Sequence, residues 1–465
     1  MSPQAEDINK KELFETMPIS QAVLNLCIPT IVSSLVTIFY NLADTYFVGI
    51  LNDPVQNAAV TLAYPVMLSL NAINNLFAVG AASMISRALG ARQTDMAKRI
   101  SAFGFYCALI CGIGYSLIIF TFQGTVLNIL GAEADTWDAT QAYLFWTICI
   151  GAAPSILNIV MANMVRAEGA SLHASIGTMS GCLLNIILDP FFILPQWLGM
   201  GAAGAGAATC ISNCVACVYF FILIFVRRRH TVVCLNPKKF SLDKKIITGV
   251  CGVGIPAAIQ NLLNVTGYAV LNNLTVAYGT TAVAAMGIAQ KLNMIPIQVG
   301  LGIGQGMMPL IGYNYSSGNI KRMKQAFIFT LKIGICTLTA IAAVCFIFSG
   351  SLVSVFMKDA EVVAYGSVLL RGFCLAAPFL AVDFMGVGLY QSCGMGKRSL
   401  AFAVCRKIVL EIPFLFILNK IWPLYGLSLA QTCTEIILSA VAAVTLIRLF
   451  RKLENGSKID SVSKD

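Results

Sequence analysis

The chain has 465 residues, 58% of them hydrophobic and 11% charged, against about 25% charged in an average soluble protein. That composition excludes a soluble globular domain and describes a polytopic membrane protein. The net charge of +10 points to no nucleic-acid partner, because most of the bases cluster in the connections on one side of the apolar segments, where they mark topology.

The opening MSPQAEDINKKELFETMP is polar and mixed in charge and leads straight into an apolar segment. It reads as a short cytoplasmic arm rather than a cleavable signal peptide. Twelve stretches then follow that are long enough to cross roughly 30 Å of hydrocarbon as helices: 16–49, 57–86, 100–122, 137–165, 171–195, 201–226, 246–279, 282–311, 321–349, 361–390, 399–419 and 424–450. Bases crowd the even-numbered connections: Arg87, Arg92, Lys98 and Arg99 after the second stretch, Arg166 after the fourth, and Arg227, Arg228, Arg229, Lys238, Lys239, Lys244 and Lys245 after the sixth. Lys321, Arg322 and Lys324 follow the eighth, Lys397 and Arg398 the tenth, and Arg448, Arg451, Lys452, Lys458 and Lys464 the twelfth. The odd connections hold only Lys358 and Lys420. The positive-inside rule therefore places both termini and every even connection in the cytoplasm.

Within the first stretch, Asp44 is the only charge in ISQAVLNLCIPTIVSSLVTIFYNLADTYFVGIL. A carboxylate at the centre of a membrane helix costs on the order of 3 kcal/mol on insertion scales, which marks it as functional. The fifth stretch carries LLNIILDPFF, with Asn185 and Asp189 at i and i+4 on one helical face. A carboxylate and an amide oxygen side by side can coordinate a cation, and two acids close together resist joint ionisation, which suits a group that loads and unloads protons.

The second half holds a different set: Lys291, Lys332, Arg371, Asp383, Arg406, Lys407, Glu411 and Glu435. These read as charge compensation, with Arg371, Arg406 and Lys407 near helix ends where snorkelling is cheap. Lys291 and Glu435 are the least easily explained that way. The sixteen cysteines lie nearly all within apolar helices, without metal spacing or pairs in an exterior loop, and read as small core residues. His173 and His230 fall in expected loops, too far apart in sequence to suggest a metal cluster. Gly199 to Gly204 match G-x-G-x-x-G without a preceding strand, so close helix packing explains them better than a nucleotide. GMGKRS at 394–399 lacks the first Gly and the Ser/Thr after Lys of a Walker A loop.

The chain is doubled. Ile28-Pro29 recurs as Ile255-Pro256, Ala153-Pro154 as Ala377-Pro378, and GARQTDMAKR (90–99) is answered by NYSSGNIKRMK (314–324), at offsets of 224 to 227 residues. Six helices per unit is an even number, so the halves enter the membrane in the same orientation, as a parallel repeat. The expected organisation is an amino-terminal six-helix bundle (1–226), a basic cytoplasmic linker (227–245) acting as a hinge, and a carboxy-terminal six-helix bundle with a short tail (246–465). The fold class is all-α integral membrane protein, twelve helices in two bundles. Two such bundles form a cavity at their interface, the architecture of a secondary transporter; with no soluble ATPase domain, an ion must drive it.

These residues resemble the multidrug and toxic compound extrusion (MATE) transporters. The resemblance rests on IPTIVSSLVTIFYNLADTYFVG, RAEGA at 166–170, LLNIILDPFFI, GMGAAGAGAAT at 199–209 and GIGQGMMPLIGYNYSSGN at 302–319, the last similar to the DinF-like and MepA-like bacterial branches. It covers essentially all twelve helices. It implies cation-coupled efflux of amphipathic, often cationic, drugs by a protein of the bacterial plasma membrane. It also implies an ion site at Asp44, Tyr40, Asn185, Asp189 and Thr209, serving H⁺ or binding Na⁺ at Asp44, Asn185, Asp189 and Thr209, and a bend in the first helix at Pro29. The branch typified by NorM adds acids in the seventh and tenth helices. Here the seventh offers Gln260, Asn261 and Asn264, and Asp383 lies about one turn from the matching position, so the resemblance gives no ground for a second ion site.

The expected partners are small amphipathic molecules and the lipid bilayer, with no nucleic acid; the expected state is a monomer, without cofactor and without enzymatic activity. One rival reading is a lipid-linked oligosaccharide flippase, favoured by Lys291, Lys332 and Arg371 as a basic cavity. The other is an integral-membrane enzyme, for which no constellation of nucleophile, metal cluster or paired acids stands out. The charge distribution generates a test of sidedness. With native cysteines removed, a cysteine at position 236 should resist labelling from outside intact cells, whereas one at position 135 should react; the reverse pattern overturns the topology.

Overall fold

In hydrocarbon every backbone N–H and C=O needs a partner within the chain, and a helix supplies it locally. The computed structural model describes residues 11–462, and every element among them is helical. Both chain termini, placed by the sequence in the cytoplasm, lie outside the described residues. The first half contains α1 (Ile19–Ile50), α2 (Pro54–Gly90), α3 (Thr94–Thr121), α4 (Gln123–Leu130), α5 (Trp137–Leu144), α6 (Ala152–Ala167), α7 (Ser171–Ile193) and α8 (Ala202–Val226). The second contains α9 (Lys244–Val276), α10 (Thr280–Ser316), α11 (Ile320–Ile347), α12 (Ser349–Phe356), α13 (Ala360–Cys374), α14 (Ala377–Ser392), α15 (Gly396–Val404), α16 (Ile412–Ile421) and α17 (Tyr425–Val462). π-helical turns occupy Glu12–Thr16, Phe145–Ile150 and Cys405–Glu411.

Among the described residues nine single helices are long and apolar enough to cross a membrane. Two bent pairs, Trp137–Ile150 with Ala152–Ala167 and Ala360–Cys374 with Ala377–Ser392, bring the number to eleven. The remaining rod, the eleventh stretch expected over 399–419, is α15, a π-helical turn and α16; Arg406, Lys407 and Glu411 in its middle interrupt the apolar run. The two bent pairs are the repeat made visible. Each bends by 47°, beside Pro154 in one and Pro378 in the other. An eight-residue helix, α4 or α12, precedes each bent pair. The turns that the repeat aligns both need left-handed backbone, at Arg92 (φ 58°) and Gly318 (φ 78°). Packing repeats as well: α2 lies against α3, α5 and α6, as α10 lies against α11, α13 and α14.

By their internal contacts the helices form two compact units, one built on Leu35–Ala258, the other on Phe14–Ser34 with the chain from Ile259 onward. The cuts after Ser34 and after Ala258 fall inside the first helix of a half, α1 or α9, shortly after Pro29 and Pro256. In the first unit the start of α9 lies close to α2, where a Cβ on Gly80 would strike the Val250 carbonyl and one on Gly254 the Leu76 carbonyl. The basic linker is docked rather than free. Glu168 of the RAEGA segment, 3% exposed, accepts hydrogen bonds through Oε2 from Thr231 Oγ1 (3.0 Å) and Val232 N (2.9 Å). Ser101 Oγ donates to Val232 O (3.1 Å) and accepts from Cys234 N (2.8 Å).

In the second unit the start of α1 seats on α10. Thr30 Oγ1 donates to Gly302 O (2.8 Å), and a Cβ on Gly306 would overlap Cys27 and Thr30. Phe14 stacks on Tyr313 at 4.6 Å, Tyr313 donates to Glu15 (2.7 Å), and Arg322 donates to the carbonyls of Phe14 and Met17 (2.7 Å each). The segment GIGQGMMPLIGYNYSSGN is thus the seat of the start of α1.

The glycines of GMGAAG serve the backbone. Gly199 and Gly201 have φ of 62° and 59°, and a Cβ on Gly204 would overlap the Phe192 carbonyl at the end of α7. Gly204→Val should therefore destabilise the protein by about 1–3 kcal/mol through overpacking, whereas Gly49→Ala, with open space around it, should leave thermal unfolding of the detergent-solubilised protein unchanged.

Candidate functional site

The α7–α8 pair builds the floor of the site. A Cβ on Gly181 would press on Ala216 and the Ser212 carbonyl, each at 3.2 Å, so glycine lets α7 approach α8 one turn before Asn185. Gly206 does the same for α8 against the α5 rod: its Cβ would lie 3.2 Å from the Tyr143 carbonyl and from Trp146 Cβ. Small residues at helix crossings are what close approach in a membrane requires. Here they bring Thr209, Asn185 and Tyr143 to one place.

Asn185 and Asp189 are 1% and 0% exposed. With the Asn185 amide assigned from its neighbours, Nδ2 donates to Asp189 Oδ2 (3.0 Å), while the carbonyl oxygen accepts from Thr209 Oγ1 (3.2 Å) and Thr209 N (3.0 Å). Asp189 does not end its helix, since α7 runs through Pro190 to Ile193. Tyr40 and Asp44 stand one turn apart on α1, and both are half-buried. Asp44 lies within the electrostatic reach of Asp189, and Tyr40 adjoins Asp44 and Thr209. Asp44 Oδ1 is shielded from solvent and has no hydrogen-bond partner. A buried carboxylate oxygen left open costs the full desolvation of that lone pair unless a proton or cation takes it.

All five residues expected in this site are therefore brought together, wholly within the first unit. Sequence reasoning missed Tyr143 of α5, which is 8% exposed and sits in the field of both Asp44 and Asp189. Its only signal was a hydroxyl in an apolar rod. The donors are carboxylate, amide and hydroxyl oxygens, which fit a proton or a hard monovalent cation as the transported ion. Pro29 lies inside α1 within the second unit, apart from these side chains.

The second half departs from expectation. Arg406 and Lys407 do not snorkel from helix ends: each is 6% exposed, in the π-helical turn at the middle of its rod. Arg406 Nε pairs with Glu435 Oε1 at 2.6 Å and Nη1 with Asp383 Oδ2 at 3.3 Å; Lys407 Nζ pairs with Glu411 Oε1 at 2.7 Å. Lys291 and Lys332 are exposed and outside this network. Arg371 is exposed as well, donating to Ser349 Oγ (2.9 Å) with its guanidinium over Phe346. Lys291, Lys332 and Arg371 therefore do not form a buried basic cluster. His173 lies in the first turn of α7 rather than in a loop, 3.5 Å from the Tyr219 hydroxyl.

A model of the MatE family matches this chain twice, over residues 29–191 and 256–417. The chain belongs to the MatE family. The two matches start 227 residues apart, at the offset of the internal repeat. The chain is similar to the multidrug export protein MepA of Staphylococcus aureus (strain bovine RF122 / ET3-1), 31% identical over 440 residues, covering 94% of this chain and 95% of that protein. MepA of Staphylococcus saprophyticus is 30% identical over 443 residues, with the same coverage. The fold matches a crystal structure of MATE in complex with MaL6 at a TM-score of 0.91, with 24% identity over 96% of this chain and 99% of that one. An outward-facing multidrug resistance MATE family transporter of the MOP superfamily matches at 0.90, with 25% identity over 96% and 98%. This MatE family protein is a multi-pass membrane transporter.

The asymmetry between its halves is testable. Asp189→Asn should abolish uphill transport of a fluorescent dye in reconstituted vesicles, while Asp383→Asn should retain substantial efflux. An indispensable Asp383 with a dispensable Asp189 would put the coupling site in the wrong unit.

Proposed function

We propose that the protein is an antiporter that exports amphipathic, often cationic, small molecules in exchange for H⁺ or Na⁺, by alternating access of its two six-helix halves. The observation that carries this reading is that Asp44 and Asp189, from two helices of the first unit, lie within electrostatic reach of each other, with Asp44 Oδ1 open. Asp44 is tolerated in an apolar helix because its charge state is the working variable: neutral or cation-bound in one stage of the cycle and bared in another. Asn185 holds Asp189 and Thr209 in register, and the hydroxyls of Tyr40, Tyr143 and Thr209 supply the surrounding oxygens.

Ion and substrate oppose one another through their differential affinity for the two states. The names of the MepA relatives support drugs as the cargo. The protein is taken to work as a monomer in a bacterial plasma membrane with both termini cytoplasmic, without enzymatic chemistry or a cofactor.

Vesicles loaded with dye, under pH and sodium gradients imposed separately, test the reading. At least one gradient should drive dye against its own concentration in the parent protein. Asn keeps the size of Asp and its capacity for hydrogen bonds but cannot change charge, so Asp44→Asn should fold, bind dye and fail to accumulate it. Gradient-driven transport at parental rates in Asp44→Asn would overturn the mechanism.

A further inference from the structure

Five charged side chains meet inside the second unit. Asp383 comes from α14, Arg406, Lys407 and Glu411 from the π-helical turn, and Glu435 from α17; side-chain exposure runs from 0% for Glu435 to 10% for Glu411. Each lies within the electrostatic reach of others in the set. The helix widens over the residues that carry the charges, as π-helical turns often do at functional sites. On α9, Gly267 makes room for the Lys407–Glu411 pair, since a Cβ there would lie 3.1 Å from Lys407 Nζ and 3.2 Å from Glu411 Oε1. Rings cover the cations: Tyr268 of α9 lies 5.5 Å from Lys407 Nζ and Phe384 of α14 5.6 Å from the Arg406 guanidinium. Among the described residues, the charged and titratable groups facing the cluster are these five and Tyr268.

Three acids stand against two bases. With all five ionised the cluster carries one uncompensated negative charge, in a setting where an unpaired buried ion costs several kcal/mol. The pairing leaves places for its neutralisation: Glu435 Oε2 and Glu411 Oε2 are both shielded and without a hydrogen-bond partner. A metal ion needs several converging ligands, and among the described residues no three acidic, His or Cys side chains are placed to hold one. A proton needs one carboxylate oxygen.

We infer that the second unit holds one exchangeable proton on the Asp383–Glu411–Glu435 cluster, separate from the Asp44 site, and that the transport cycle moves it. Arg406, bound to two acids, and Lys407, bound to one, remain as fixed counter-charges, so loss of the proton leaves the net charge that the cycle must relieve. The inference rests on the reading of the protein as an ion-coupled exporter.

The test is limiting dye accumulation against an imposed pH gradient in vesicles with the membrane potential clamped. Each coupled proton multiplies that limit by about ten per pH unit. Glu435→Gln keeps an acceptor for Arg406 and makes the cluster neutral without a proton. It should still transport, but with accumulation rising about tenfold less steeply per pH unit than in the parent. Equal slopes for the two proteins overturn the inference.

If Glu435→Gln does not fold, Glu411→Gln is measured the same way. The infrared band of a protonated carboxyl is followed in Asp44→Asn/Asp189→Asn, which removes the acids of the first site, and in the same protein carrying in addition whichever of the two Gln substitutions folds. It should be present in the first and vanish in the second; a band that survives the Gln substitution also overturns the inference. A parent protein driven by sodium alone would remove the proton while leaving the exporter reading in place. One driven by neither ion would remove both.

Discussion

A polar group within the hydrocarbon core must find its partner inside the protein, and the described structure follows from that constraint. It forces the backbone into helices, and it turns every intramembrane charge into a question about its neighbours. The answers differ between the two units. In the first, Asp189 is held by an amide, Asn185, which is itself held by Thr209, and among the described residues no base pairs with Asp44 or Asp189. In the second, guanidinium and ammonium groups are bound directly to the carboxylates. An acid answered by neutral dipoles can gain and lose a cation at little structural cost. An acid answered by a fixed base is held in the packing, and with three such acids against two bases only the one uncompensated charge is left to take up and release a proton.

Glycine placement links fold and site. Gly181 and Gly206 carry no chemistry, yet they bring α7, α8 and the α5 rod close enough for side chains of three helices to share one group of oxygens. The same economy of side-chain volume seats the start of α1 on α10 in the second unit, through Gly302 and Gly306. α1 is the helix that carries Tyr40 and Asp44. Its amino-terminal part is fixed by Thr30 and Phe14 in the second unit, and its later part contributes the acid in the first. Most of the motifs behind the family resemblance thus have a mechanical reason: RAEGA docks the linker, GMGAAGAGAAT closes the α7–α8 and α5–α8 crossings, and the 302–319 segment anchors α1.

The sequence by itself determined what depends on composition, period and doubling. Long apolar stretches reported the helices because membrane thickness sets their length. The repeated Ala153-Pro154 and Ala377-Pro378 marked the positions where both halves bend by 47°. The lone acid in α1 and the i, i+4 pair in α7 identified three of the site residues, because a charge in an apolar run is conspicuous without a structure. Family resemblance supplied Tyr40 and Thr209, which local pattern did not single out.

Tertiary structure alone decided which polar groups face one another, because packing across helices is invisible to periodicity along one helix. It added Tyr143, an ordinary residue of an apolar rod until α5 is placed beside α8. It moved Arg406 and Lys407 from expected helix ends to a buried π-helical turn, since a π-helical widening has no compositional signature. It divided α1 and α9 between the two compact units, although each is a single continuous helix in sequence. The first two are facts about neighbours across the chain, and the third about where contacts are dense; an amino-acid order specifies them only once the helices have packed.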